Sequence, residues 1–129
     1  MSTVVLDASA LLALLLGEPG ATEVAEVIAK ARMSSVNYAE VVSHFIRAGM
    51  PPAEVDEMLR PLPMVIVAAD EALATLAGRL RAVTANAGLS LGDRFCLALA
   101  RHEDLPALTA DRQWQTVADA ASVKVSIIR

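Results

Sequence analysis

The chain predicts an α/β fold, a three-layer α/β/α sandwich with helices on both faces of a central, mainly parallel sheet. Three observations predict it. Short apolar runs at 3–7, 64–67, 106–109 and 123–128 are separated by longer stretches of helical periodicity, the pattern of parallel strands joined by helical crossovers. Hydrophobic residues make up 55% of the chain but aromatics only 3%, so the core must be built from Ala, Leu and Val, which favours helices. The 129 residues contain no internal repeat, linker or low-complexity tract, and a length of roughly 100–200 residues is that of one domain. A chain of this size buries about two-thirds of its unfolded surface and needs no covalent staples.

Taken in order, Thr3–Asp7 reads as a short buried strand ending at an acid. Ala8–Leu16 is an almost wholly apolar helix stopped by Gly17-Glu18-Pro19-Gly20. A helix apolar all round is buried on every side, in the core or against another subunit. Thr22–Arg32 places Val24, Val27, Ile28 and Ala31 at helical spacing, and Met33–Ser35 is a brief strand. A helix follows from Val36 to Ala48, with Val41, Val42, Phe45 and Ile46 inward and Gly49 as its stop. Pro51-Pro52 opens a short helix through Leu59, and Met64–Val67 is a strand. Asp70 caps a long helix whose stripe is Leu73, Leu76, Ala77, Leu80 and Val83, ending near Gly88. Ser90 caps the next helix, with Asp93 in its first turn and the apolar run Phe95–Ala100 crossing the domain. Pro106–Thr109 is a buried strand, Arg112–Ala121 a last amphipathic helix and Val123–Ile128 the final strand.

Cys96 is the only cysteine, which excludes an intramolecular disulfide and a cysteine zinc cluster. Within FCLALA it reads as a buried, reduced thiol. No basic leader precedes an apolar core at the N-terminus, so a signal peptide is not expected. The run Ala10–Leu16 is far short of the ~20 residues that span a bilayer, and the expected compartment is the cytoplasm. Net charge is −4, whereas nucleic-acid-binding domains usually present a basic surface. The basic residues are nearly all Arg, however, which suits bidentate phosphate contacts. Charge alone neither demands nor forbids an RNA substrate.

Four acids stand where apolar runs meet a polar turn or a helix start: Asp7 in VVLDAS, Glu40 in SSVNYAE, Asp93 in LSLGDRF and Asp111 in LPALTADRQW. Carboxylates beside buried segments are costly unless paired, and a hard divalent cation pairs several at once. Each also has a structural alternative. Asp7 and Asp111 would cap the helices that follow them. Glu40 would favour the dipole of its helix, with Asn37 making a passable capping box, and Asp93 completes S-x-x-D after Ser90. The functional case therefore rests on the set. Ser9, Asn37 and Thr109 lie within three residues of these acids and are candidates to orient them by hydrogen bonding. Arg94 and Arg112 each follow an acid directly and are candidate substrate phosphate contacts, the alternative being a solvated surface pair.

VLDASALLALLLGEPG, SSVNYAEV, GLSLGDRFCLALA and LPALTADRQW resemble, in order and along essentially the whole chain, the four signature segments of PIN-domain ribonucleases, specifically VapC-type toxins of bacterial toxin–antitoxin pairs. The resemblance implies a PIN-like sandwich over residues 1–129 and an acidic metal site of Asp7, Glu40, Asp93 and Asp111, with Asp7 and Asp93 as direct ligands. It implies Mg²⁺, with Mn²⁺ able to substitute, and hydrolysis of RNA, transfer RNA among the candidates, to 5′-phosphate and 3′-hydroxyl ends. Ser9, Asn37 and Thr109 match family positions near that site. Some members carry a further acid after the fourth motif, where this chain has Gln115 and Thr116, so the number of metals is left open. The implied partners are a cognate VapB-type antitoxin and a second copy in a homodimer, with no membrane; the apolar segment Ala8–Leu16 is consistent with a covered surface.

Competing functions are a non-catalytic PIN-like interaction module and an aspartyl-phosphate phosphotransfer domain. Retention of all four acids argues against the first. Against the second, the position two after Asp7 is Ser9 rather than an acid, and Lys124 falls in the final strand segment. Metal-free cleavage would rely on His as acid and base, and His44 and His102 lack the setting of a catalytic dyad. No Walker loop or Rossmann glycine pattern is present.

Overall fold

A computed structural model describes residues 2–129. The strands are β1 (Val4–Leu6), β2 (Ala31–Ser34), β3 (Val65–Val67), β4 (Ala107–Thr109) and β5 (Val125–Ile127). The α-helices are α1 (Ala8–Leu16), α2 (Ala21–Val27), α3 (Ser35–Arg47), α4 (Pro52–Leu59), α5 (Glu71–Arg79), α6 (Arg81–Thr84), α7 (Leu91–Glu103) and α8 (Ala118–Ala121). The five strands form one sheet in the order β3-β2-β1-β4-β5, and every pairing is parallel.

Alternation along the strands sorts the core into two layers. Val4 and Leu6 of β1 pack with Leu11 of α1, Val24 of α2, Val41 and Phe45 of α3, and Val55 and Leu59 of α4. Val5, between them, faces the opposite way, into a layer made by Leu73 and Ala77 of α5, the Cys96–Ala100 run of α7, Trp114 and Ala121. β4 repeats the pattern, with Ala107 in the second layer and Leu108 in the first. This is the period-two geometry of a strand covered on both faces.

Three predicted helices are shorter than their periodicity suggests. The stretch 22–32 stays α-helical only to Val27, passes through a 3₁₀ turn at Ile28–Lys30, and gives Ala31 and Arg32 to β2. Pairing to β1, with Thr3 N donating to Lys30 O at 2.8 Å, overrides the helical spacing. The long helix before Gly88 is interrupted at Leu80, whose carbonyl accepts from the Thr84 hydroxyl at 2.9 Å. Such back-bonding bends helices, and Val83 is left exposed instead of on the inner stripe. The segment 112–121 is a 3₁₀ helix, Arg112–Thr116, followed by α8, with the fully buried Trp114 as its anchor. α1 is buried on one face only. Ala10, Leu11 and Ala13 are inside, whereas Leu16 is exposed, so the helix is not enclosed on every side. It ends at Gly17, whose positive φ of 67° allows its N–H to reach the carbonyls of Ala13 and Leu14.

The chain leaves β1 toward β2 on one side, and β4 flanks β1 on the other. The carboxyl ends of β1 and β4 therefore bracket the crevice where doubly wound sheets bind ligands.

Candidate metal centre

Asp7 directly follows β1. Its extended backbone makes it the N-cap of α1, and Ala10 N donates to its Oδ1 at 2.8 Å. The Ser9 hydroxyl lies 2.8 Å from both carboxylate oxygens, and the Thr109 hydroxyl donates to Oδ2 at 2.6 Å. The structural and functional readings of Asp7 are thus not exclusive, because one carboxylate caps the helix and faces the cleft. Ser9 Oγ also accepts from Ala110 N at 2.9 Å, and Thr109 Oγ1 from Asp111 N at 3.1 Å. Two hydroxyls consequently tie the loop after β4 to the loop after β1. Asp7 is only 3% exposed. Burial outweighs these hydrogen bonds and, with a smaller push from Asp93, raises its pKa from 3.8 to about 6.

Asp93 sits in the first turn of α7 in a full capping box: its Oδ2 accepts from Ser90 N at 2.9 Å, and Ser90 Oγ accepts from Asp93 N at 3.1 Å. Burial raises its pKa; the Ser90 bonds oppose that, Asp111 adds to it and Arg94 works against it. Asp111 caps the 3₁₀ turn after β4 through Gln113 N at 2.9 Å and is exposed.

Glu40 lies in the second turn of α3, not the first, because the N-cap is Ser34. Asn37 is inside the helix and makes no capping box. Its buried amide instead donates to Glu40 Oε1 at 2.7 Å and to the Gly92 carbonyl at 2.9 Å, joining α3 to α7. Glu40 as a residue is largely exposed, yet its carboxylate rests on the first turn of α7: a Cβ on Gly92 would stand 2.5 Å from both carboxylate oxygens. Partial burial raises the Glu40 pKa, opposed by the Asn37 bond and reinforced by Asp93.

All four acids line one cleft of about 670 Å³. Asp93 is its electrostatic hub, since repulsion couples it to Asp7, Glu40 and Asp111 alike. Among the described residues no three acidic, His or Cys side chains are already gathered into a cage for an ion. Mg²⁺ does not need one, because it keeps several waters and is held by one or two carboxylates. The donor set fits such an ion: it is all oxygen, its charges repel, and the buried Asn37 Oδ1 has no donor among the described residues, leaving it free to accept from a water.

The two arginines chosen from the sequence lie elsewhere. Arg94 is buried, and its Nη1 donates to Ala77 O of α5 at 3.2 Å. Successive helical residues diverge by about 100°, so the neighbour of a cleft acid packs into the α5–α7 contact. The Arg112 Nε donates to Arg129 O at 3.1 Å in a separate groove. The cleft is lined instead by Ser43, His44 and Arg47. Their signal was legible, since they stand three, four and seven residues after Glu40, on one helical face.

Residues 4–120 match the family model described as the PIN domain. No curated protein sequence matches the chain. Among solved structures, DNA-bound VapBC from Salmonella typhimurium is similar with a TM-score of 0.77 at 15% identity, covering 100% of both chains. VapBC2 from Rickettsia felis, bound to a DNA fragment from its promoter, has a TM-score of 0.74 at 14% identity and covers 98% of this chain and 99% of its own. A toxin–antitoxin complex from Klebsiella pneumoniae has a TM-score of 0.67 at 20% identity, covering 84% and 87%. These likenesses speak to the fold, and the family match spans most of the sequence: the chain belongs to the PIN-domain family.

Proposed function

We propose that this chain is a Mg²⁺-dependent endoribonuclease, with Mn²⁺ able to substitute, acting as the VapC-type toxin of a toxin–antitoxin pair. PIN domains are nucleases that generally depend on metal. The observation that carries the reading is the convergence of Asp7, Glu40, Asp93 and Asp111, from four separate elements, on one cleft at the β1–β4 switch point. The similar structures are of VapBC and toxin–antitoxin complexes, which favours a VapB-type antitoxin as partner. The whole chain is taken as one PIN domain that works in the cytoplasm as a homodimer. Among the described residues no helix is long and apolar enough to cross a membrane.

Asp7 and Asp93 would hold the cation. A divalent ion held there would supply charge neutralisation, Lewis acidity toward a phosphate oxygen and a more acidic water. Glu40 and Asp111 orient that water, and one of them takes its proton. Glu40 is held for such a role by the Asn37 amide at 2.7 Å. Ser9 and Thr109 hold the Asp7 carboxylate in place, and Asn37 does the same for Glu40. Water attacks the phosphorus and the 3′ oxygen leaves with the proton, giving 5′-phosphate and 3′-hydroxyl ends. Transfer RNA is the substrate class to test first.

The test is cleavage of RNA by the purified chain with Mg²⁺, with Mn²⁺ and with chelator. Activity should vanish with chelator and in Asp7→Asn and Asp93→Asn, while circular dichroism stays unchanged. Cleavage that survives both substitutions overturns the assignment.

A further inference from the structure

We propose that Arg47, flanked by Ser43 and His44 on the α3 wall, forms a subsite for the phosphate next to the scissile one in a bound RNA strand; this rests on the ribonuclease reading above. The cleft lining joins the four acids to a single arginine. From Glu40, Ser43 and His44 lie about 4.5 and 6 Å along the helix axis and Arg47 about 10 Å, and all three line the same cleft. What sets Arg47 apart is its place: Arg60, Arg79, Arg81 and Arg101 are also without a side-chain partner among the described residues, but of the arginines only Arg47 lines the cleft. Arg32 is paired with Glu103 at 2.8 Å, Arg129 with Glu18 at 3.4 Å, and Arg94 and Arg112 are bonded to backbone carbonyls. Among the described residues Arg47 has neither an ion pair nor a side-chain hydrogen bond, and it is exposed in the cleft.

In a chain of net charge −4, a free guanidinium lining the same cleft as four carboxylates needs a reason. A metal ion at the acids would hold the scissile phosphate, but the neighbouring phosphate would still meet no counter-charge. Arg47 supplies one with fork geometry matched to phosphate oxygens. Ser43 adds a hydroxyl. His44 adds a ring set edge-on to the buried Phe45, with centroids 5.2 Å apart, which steadies it on the wall. An acidic peptide is the competing occupant, and the experiment separates the two.

The test uses the full chain and a single-stranded RNA oligonucleotide, comparing wild type with Arg47→Ala and Arg47→Lys. Steady-state cleavage with Mn²⁺ should show KM raised about tenfold in Arg47→Ala with kcat within about twofold. The slope of log(kcat/KM) against log[salt] should fall by about one, as for one lost phosphate contact. Arg47→Lys should recover the slope but only part of the affinity, and Mn²⁺ affinity by calorimetry should be unchanged in both. Unaltered KM and slope in Arg47→Ala overturn the subsite while leaving the nuclease intact, as an acidic-peptide site would predict. RNA binding by fluorescence anisotropy that depends on Arg47, without cleavage, overturns the nuclease reading and the placement beside a scissile phosphate, leaving Arg47 only as an RNA phosphate contact. No RNA binding at all overturns both.

Discussion

At the residue scale, Asp7 sets a cost that its ligand must offset. Its folded pKa of about 6 lies above the ordinary 3.8 because burial disfavours the charged form. The sign follows by linkage: stability associated with a raised carboxyl pKa is complete below about 3.8 and is lost as pH rises through about 6. The ion-free protein therefore carries a penalty at neutral pH whose upper bound is about 3 kcal/mol. In chelator at pH 7.5, Asp7→Asn should be more stable than wild type by about 1–2 kcal/mol, some of the gain being lost to weaker hydrogen bonding. The advantage should disappear toward pH 4, as read by denaturant melts. A wild type more stable than the Asn variant at pH 7.5 in chelator would contradict a buried, uncompensated charge. Occupancy by Mn²⁺ should itself weaken as pH falls below about 6, because the ligand must be ionised. The four acids were legible in the sequence because a carboxylate at the end of an apolar run is conspicuous. Arg94 misled because adjacency in sequence says nothing about direction on a helix, and Arg47 escaped notice seven residues from its acid.

At the scale of elements, the α3–α7 contact places Glu40. Gly92 leaves room for the Glu40 carboxylate, and Asn37 bridges that carboxylate and the Gly92 carbonyl. Gly92→Ala separates position from stability. The clashing atoms are the far end of a flexible side chain, and Ala improves the helix by up to about 1 kcal/mol. Melting should shift little or rise, while cleavage falls at least about tenfold if the displaced Glu40 bears on the transition state by the ~1.4 kcal/mol that factor represents. Pairing it with Glu40→Asp, one methylene shorter, should restore part of the loss; strictly additive effects would show that the glycine acts some other way. Asn37→Ala, by contrast, strips two buried hydrogen bonds, so it should cost about 1–3 kcal/mol of stability as well as activity. The Asn37–Glu40 bond is the one expected of a residue set to orient that acid, but the bridge to Gly92 was not visible in the sequence, where Asn37 also read as a cap. Its role depends on the N-cap being Ser34 and on α7 lying alongside. Helix ends were misjudged for a similar reason: strand pairing claimed Ala31 and Arg32, and the Thr84 hydroxyl interrupted a continuous stripe.

At the scale of the molecule, the strand order decides which chemistry the cleft can host. The carboxyl ends of β1 and β4 bring Asp7 and Asp111 together, whereas Lys124 precedes β5 at the opposite end of the sheet, in a groove with Asp104 and Asp119. A phosphotransfer site with its acid after β1 and its lysine near that acid is excluded by this separation, and the burial of Asp7 under four hydrogen-bond contacts leaves little room for a phosphoryl group. The parallel sheet covered on both faces was legible, because the apolar runs fall between helical stretches, but the strand order was not, because pairing is decided by contacts far apart in sequence. What the cleft lacks without an ion is charge balance: a chain of net charge −4 concentrates four carboxylates in the cleft where the proposed RNA substrate would bind. Divalent cation should therefore stabilise the fold through these acids. For an ion that binds only the folded state, Mn²⁺ at 100 times its Kd adds about 2.7 kcal/mol. Wild type should melt higher with Mn²⁺ than with chelator, and Asp7→Asn/Asp93→Asn should melt at one temperature in both. A double variant that still gains the full shift would place the ion elsewhere on the surface, and the cleft would then have to be explained without metal.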